Sequence, residues 1–201
     1  MDEKQYLQQT RQFFDDLAPG WDSRVYHDAR KLKLIVDICG LAPGGRLLDI
    51  GCGTGVMIGE LLEREPRELV AVDISPRMIE QAAKKYRDAR LKLVTGDLFD
   101  LEEIGFDLAL LYSVYPHFPH KEKLAHRLAQ LLRQGGRFMI AHSESRDIIN
   151  NRHQGGMTER LSQPLEPVLQ EAQIWQKYFD IDILADTEQL YLLSGKLKNN
   201  A

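Results

Sequence analysis

The chain has 201 residues, 26 Lys+Arg against 30 Asp+Glu and a formal net charge of -4, with 43% hydrophobic residues. This length suits one domain with a core of ordinary size, and without a basic run there is no bulk attraction to nucleic acid or anionic membrane. No apolar stretch approaches about 18 residues and the start lacks a signal-peptide pattern, so no membrane insertion is expected; Cys39 and Cys52, outside any zinc-ligand spacing, fit a reduced cytoplasmic setting.

Residues 3–18 place Tyr6, Leu7, Phe13, Phe14 and Leu17 on part of a helical stripe, which Pro19 and Gly20 end. Trp21 and Asp22 follow. This segment precedes the first sheet strand, so residues 1–25 read as a helical lid carrying aromatic groups over a site, or as a helix packed on the outside. A second helix over 26–40 puts Leu32, Ile35, Val36 and Cys39 on one side, with Gly40 at its carboxyl end.

The pattern then alternates. After the turn Pro43-Gly44-Gly45, a strand is predicted over 46–50, a helix over 54–64 and a strand over 68–72 that delivers Asp73. Ser75 caps a helix that begins at Pro76 and reaches about 87. Strands follow over 91–95 and 106–111, the latter apolar as a buried parallel strand should be. A loop over 112–119, a helix over 121–132 and the turn Gly135-Gly136 lead into a strand over 137–141. The alternation loosens in the polar stretch 142–163, with a short helix over 146–153. A helix over 165–172 and a hairpin of strands over 175–184 and 189–194 close the chain. The expected fold is α/β: a Rossmann-like, seven-stranded, mostly parallel sheet with a C-terminal antiparallel hairpin and helices on both faces. The organisation is one domain, with 143–163 as a substrate-side insertion.

The stretch LLDIGCGTG, residues 47–55, organises this chain. Gly51, Gly53 and Gly55 allow backbone conformations and close approaches that a Cβ blocks. The following helix points free N–H groups at whatever lies on the loop. Asp49, just before the glycines, opposes a pyrophosphate and attracts a cationic ligand. The site therefore suits a nucleoside without phosphates. Asp73 can accept both ribose hydroxyls, Asp97 can accept an exocyclic amine, and Leu98 can lie beside a base. Cys52 reads as a small, semi-buried loop residue.

On these residues the sequence resembles the class I S-adenosylmethionine-dependent methyltransferases. LLDIGCGTG matches the family's first motif, VAVDIS the second, and TGDLFDL the adenine-binding segment. LRQGGRF resembles the segment before strand five, with Arg133-Gln134 replacing the usual Lys-Pro. FFDDLAPGWDS looks like the start of the small quinone-biosynthesis type. The resemblance implies S-adenosylmethionine as cofactor. It places Gly51 with its neighbours Cys52, Gly53 and Gly55 at the methionine end, Asp73 and Ile74 at the ribose, Asp97 and Leu98 at the adenine, and Tyr112 beside the sulfonium.

The acceptor should enter across the carboxyl ends of strands four and five, under the N-terminal helix. Tyr6, Phe13, Trp21, Tyr115, Arg146 and His153 are the candidates to bind it; Arg146, Asn150 and His153, spaced by four and three, share one helix face. His117 and His142 can supply a base near neutral pH, with Tyr112 as the third catalytic candidate. The alternative for each histidine is a cap or a backbone hydrogen bond. His117, His142 and His153 can also bind zinc if they converge, which spacing alone does not establish. The expected substrate is a small molecule: a phenol or quinol, a thiol or an amine. An RNA or protein methyltransferase and a non-catalytic cofactor-binding subunit are the alternatives. Nucleic acid is not an expected partner, and a homodimer is compatible with the sequence.

Overall fold

The structure, a computed structural model, describes residues 2–199. Seven strands form one sheet: β1 (Arg46–Ile50), β2 (Glu68–Asp73), β3 (Leu91–Thr95), β4 (Phe106–Tyr112), β5 (Leu132–His142), β6 (Phe179–Asp186) and β7 (Tyr191–Leu197). Their order is β3-β2-β1-β4-β5-β7-β6. The first five run parallel; β7 is antiparallel to both β5 and β6. The expected sheet and terminal hairpin are both present. The order reverses between β1 and β4, and a crevice opens at the carboxyl ends of strands at such a switch point.

Strand alternation sorts the core into two layers. Leu48, Ile50, Val70, Val72, Ala109, Leu111, Phe138 and Ile140 face one way, towards α6 (Lys121–Leu131) and α9 (Val168–Trp175). Leu47, Leu69, Ala71, Leu108, Leu110, Met139 and Ala141 face the other, towards α3 (Ala29–Ile38), α4 (Ile58–Leu62) and α5 (Pro76–Lys85). Each fully buried Leu or Ile contributes roughly 1.5–3 kcal/mol. Packing therefore holds α4, whose five residues are too few for a helix that stands alone.

The lid segment is α1 (Glu3–Leu17), opened by a capping box between Asp2 and Gln5, and the short α2 (Trp21–Arg24). Asp28 caps α3, so that helix begins later than expected and leaves 25–28 as an extended connection. On the other side of the crevice lie α7 (Arg146–Arg152) and α8 (Gly156–Arg160).

Several boundaries differ from the sequence reading. The turns after β1 continue to Met57, so α4 is shorter than the predicted helix over 54–64. Gly135-Gly136 lies inside β5, where the pairing with β4 shifts register, rather than in a turn before it. Pro167 immediately precedes α9 and sets its start, so Trp175 ends a helix instead of beginning a strand. Among the described residues no helix is long and apolar enough to cross a membrane.

Candidate active site

The loop after β1 turns sharply because its glycines permit it. Gly51 and Cys52 donate their N–H groups to the Val72 carbonyl at 2.8 and 3.1 Å, which binds the loop to β2. Gly51 has φ +63, and a Cβ there would stand 2.3 Å from Val114 Cγ2. Gly53 has φ +55 with open space where a Cβ would go. The loop is thus closed by packing on one side and open on the other.

Three carboxylates stand at the carboxyl ends of three adjacent strands: Asp49 within β1, Asp73 closing β2 and Asp97 just past β3. Asp73 accepts from the Gly53 N–H and the Ser75 N–H, each at 2.8 Å. Desolvation raises its carboxyl to about 6 against the pull of those two donors. Asp97 accepts from the Phe99 N–H at 3.0 Å and is also raised by burial. Asp49 is 1% exposed, and its Oδ2 has no partner among the described residues. Desolvation, then the nearby Asp73 charge, lifts its carboxyl to about 7. A buried carboxylate oxygen without a donor is costly and rare.

These groups surround a cavity of about 250 Å³ whose far wall comes from the lid and from the loops after β4 and β5. The lid is fastened at several points. Asp15 accepts from the Ser75 hydroxyl at 2.6 Å and the Arg77 N–H at 3.2 Å. Asp22 accepts from the Thr54 hydroxyl at 2.5 Å and pairs with Lys85 at 2.8 Å. The Tyr6 hydroxyl lies 2.9 Å from the Leu161 carbonyl and 3.0 Å from the His117 carbonyl.

The acceptor half is built from imidazoles. His117 Nδ1 stands 2.7 Å from the Leu161 carbonyl, which can only accept, so Nδ1 carries the proton and Nε2 the lone pair. Desolvation lowers His117 to about 4. His142 is 2% exposed, its Nε2 lacks a partner among the described residues, and desolvation lowers it to about 3. His153 Nδ1 is likewise buried without a partner, and its ring lies 5.2 Å from that of His117. Tyr112 shares its hydroxyl with Ser143 Oγ at 2.7 Å and His27 Nδ1 at 2.8 Å.

The cavity wall brings together Gly51, Cys52, Gly53, Asp73, Ile74, Asp97, Leu98 and Tyr112 of the cofactor candidates. It also includes Tyr6, Trp21, His117, His142 and His153 of the acceptor candidates. Asp49 and Gly55 stand behind the wall. A Cβ at Gly55 would meet Ile58 and Tyr86 at 2.9 Å, so that glycine serves helix packing. Three expectations are corrected. Tyr115 is fully buried, because its hydroxyl donates to Glu171 at 2.8 Å and its ring packs on Trp175. Arg146 is drawn away to Asp186 at 3.0 Å. Phe13 lies off the wall, and its neighbour Phe14 takes that place against His117, with ring centroids 5.0 Å apart. Among the described residues no group of three or more His, Cys, Asp or Glu has metal-binding geometry, so the three-histidine zinc reading is set aside.

His27 was not foreseen. The signal is Asp28: as an N-cap it starts the helix at Ala29 and leaves His27 in an extended segment from which it reaches Tyr112.

Residues 48–138 match a family model described as a methyltransferase domain. The chain is 26% identical over 140 residues to a ubiquinone biosynthesis O-methyltransferase of Alkalilimnicola ehrlichii, covering 64% of this chain and 56% of that one. It is 31% identical over 146 residues to the aklanonic acid methyltransferase DauC of a Streptomyces species, covering 68% and 66%. With a malonyl-[acyl-carrier protein] O-methyltransferase of Acetivibrio thermocellus it shares 28% over 127 residues, 61% of this chain and 45% of that one. The chain thus spans about half the length of the first of these curated relatives. A putative S-adenosylmethionine-dependent methyltransferase from Listeria monocytogenes superposes with a TM-score of 0.69 at 14% identity, covering 86% of this chain and 100% of that one. That likeness shows the fold. The matched residues run from β1 into β5, the strands that carry the glycine loop and the carboxylates, and together with these relatives and the shared fold they support a class I S-adenosylmethionine-dependent methyltransferase.

Proposed function

We propose that the protein transfers the methyl group of S-adenosylmethionine to a small-molecule acceptor held beneath α1. One observation carries this reading most: the orphaned Asp49 Oδ2 lies just behind a glycine loop with open space at Gly53. A cationic nucleoside fits that combination, since it relieves the buried carboxylate and fills the cradle. When bound, S-adenosylmethionine supplies an electrophilic methyl group on a positively charged sulfur.

The residues then divide the work. Asp73, already oriented by the Gly53 and Ser75 N–H groups, keeps lone pairs for ribose hydroxyls. Asp97 and Leu98 serve the amine and the face of the adenine. Gly51 and Cys52 hold the methionine end, and Tyr112 borders the sulfonium with its hydroxyl fixed by His27 and Ser143. Burial lowers His117 to about 4 and His142 to about 3, well below the near-neutral base expected from the sequence, so the two imidazoles are candidate hydrogen-bond partners of the acceptor rather than strong bases for its proton. The described part of the lid, residues 2–25, and the segment 143–163 exclude water from the single domain's cavity. A reduced cytoplasmic setting belongs to the same reading. The names of the O-methyltransferase and aklanonic acid relatives support a small acceptor.

Calorimetry with S-adenosylmethionine and S-adenosylhomocysteine, followed by transfer of labelled methyl to phenols, thiols and amines, tests this. Cofactor binding with transfer to one acceptor class supports it. Cofactor binding without transfer to any small molecule moves the RNA, protein or partner-subunit readings forward.

A further inference from the structure

An acceptor atom that carries a proton must lose it when it is methylated. His117 and His142 are poor takers, because burial lowers them to about 4 and about 3. His27 borders the same cavity in a different setting. Its Nδ1 lies 2.8 Å from the Tyr112 hydroxyl, which lies 2.7 Å from Ser143 Oγ. All three side chains line the cavity. One hydrogen-bonded chain thus joins the residue after β5, the end of β4 and the extended segment before α3.

The chain has a direction. Tyr112 has one O–H to give, so it donates to His27 or to Ser143 but not to both. An imidazole nitrogen, which binds a proton at about 6.5 in the unperturbed side chain, is a better acceptor than a serine oxygen. Tyr112 therefore donates to His27 Nδ1 and accepts from the Ser143 hydroxyl, and neutral His27 carries its own proton on Nε2. Among the described residues Nε2 has no partner, and it is not sealed from water. Ser143 Oγ has no partner there other than Tyr112, so it keeps a lone pair. Lys31 of α3 fixes Ser143 by donating to its carbonyl at 2.9 Å. Ser113, next to Tyr112, holds φ +54, a left-handed conformation rare for a non-glycine residue. Such strain persists where the surroundings fix a position, and it gathers at functional sites.

We propose that Ser143, Tyr112 and His27 form a proton relay that carries the acceptor's proton from the cavity to water. This inference rests on the methyltransferase reading of the same cavity. As the acceptor atom bonds to the methyl carbon, its bond to hydrogen breaks and Ser143 Oγ takes the proton. The Ser143 proton passes to the Tyr112 oxygen, the Tyr112 proton passes to His27 Nδ1, and His27 releases its Nε2 proton to water. One proton enters and one leaves. Rotation of the two hydroxyls and exchange of the His27 tautomer through water restore the start. The charged groups around His27 are paired with each other, Glu144 with Arg152 and Asp22 with Lys85. Burial lowers His27, and Glu144 and Asp22 pull against it.

The first test needs no acceptor. The protein, its histidine rings labelled with nitrogen-15, is saturated with S-adenosylhomocysteine and studied by NMR at about pH 8, above the ordinary imidazole range. His27, assigned by comparison with His27→Gln, should carry its proton on Nε2, and Tyr112→Phe should shift its Nδ1 signal. A proton on Nδ1 reverses the chain and overturns the proposal. Turnover is then followed against pH with the acceptor that labelled-methyl transfer identifies. His27→Gln still offers Tyr112 an acceptor but cannot take up a proton. Its kcat should fall about 100-fold, with KM and S-adenosylhomocysteine affinity unchanged, and the acid limb of the wild-type pH profile should vanish. Wild-type kcat and pH profile in His27→Gln would make the histidine a spacer and overturn the proposal. The tautomer in the wild type decides where a variant does not fold. Failure of the wild type to bind S-adenosylhomocysteine, or to methylate any acceptor, would instead overturn the methyltransferase reading.

Discussion

The His117 Nδ1–H donates to the Leu161 carbonyl at 2.7 Å, and that bond fixes which nitrogen of the ring keeps its lone pair. The same carbonyl lies 2.9 Å from the Tyr6 hydroxyl, whose other neighbour is the His117 carbonyl. One side chain of α1 thus ties the loop after β4 to the segment after α8. Tyr6→Phe should cost about 1 kcal/mol of stability, the net worth of one such bond. It should weaken acceptor binding more than cofactor binding, which denaturant melts and paired titrations will show. An equal loss in both would mean that Tyr6 supports the whole cavity.

The glycines of the first loop should respond differently to alanine. At Gly51 the new Cβ would collide with Val114 and face φ +63. A loss of about 3 kcal/mol or more, or no folded protein, is expected. At Gly53 only the backbone conformation resists, at a cost of roughly 1–2 kcal/mol. Its Cβ would occupy the cradle, so Gly53→Ala should stay folded and lose cofactor affinity. Thermal melts and calorimetry on the two variants check this contrast.

Asp49 has a pH signature. Its carboxyl lies at about 7 in the fold, above the ordinary value that it has in the unfolded chain. The unfolded chain therefore binds fewer protons between those values, and this residue's contribution to stability falls as pH rises through that window. Asp49→Asn should melt higher than the wild type at pH 8, with the gap closing by about pH 4. The same variant should bind S-adenosylmethionine more weakly. A wild type that is the more stable at pH 8 would show that Asp49 is stabilised as the charged form without any ligand.

Asp15 and Asp22 latch the lid through Ser75, Thr54 and Lys85. The Asp22–Lys85 pair is exposed, but Ser75 and Thr54 are buried, so Asp15→Ala with Asp22→Ala leaves two buried hydroxyl donors without these acceptors and should cost about 1–3 kcal/mol. Cofactor dissociation in stopped flow should quicken by about tenfold, as expected when a closing segment is released. An unchanged rate would mean that the lid does not gate the cofactor.

The frame was legible in the sequence because buried parallel strands are apolar runs bounded by turn residues. Arg46–Ile50 and Leu91–Thr95 fall where they were expected, and Asp73 and Asp97 sit at strand ends as read. The acceptor half was less legible because its residues answer to distant partners. Arg146, Asn150 and His153 have helical spacing, yet Asp186 takes Arg146, and the Leu165 backbone takes Asn150 at 3.0 Å. Only His153, at the cap of α7, reaches the cavity. Tyr115 reads like its neighbours in the loop, but Glu171, 56 positions away, draws it into the core. Nothing local in the sequence marks such pairings.

The central claim is that the cradle binds S-adenosylmethionine through Asp73. The most direct measurement is calorimetric titration of S-adenosylhomocysteine into the wild type and Asp73→Ala, with melts to confirm that both are folded. The account predicts one site per chain in the wild type and binding weaker by roughly 1–3 kcal/mol in the variant, through loss of charge-assisted hydrogen bonds. No binding by the folded wild type, or equal affinity in the folded variant, would contradict it.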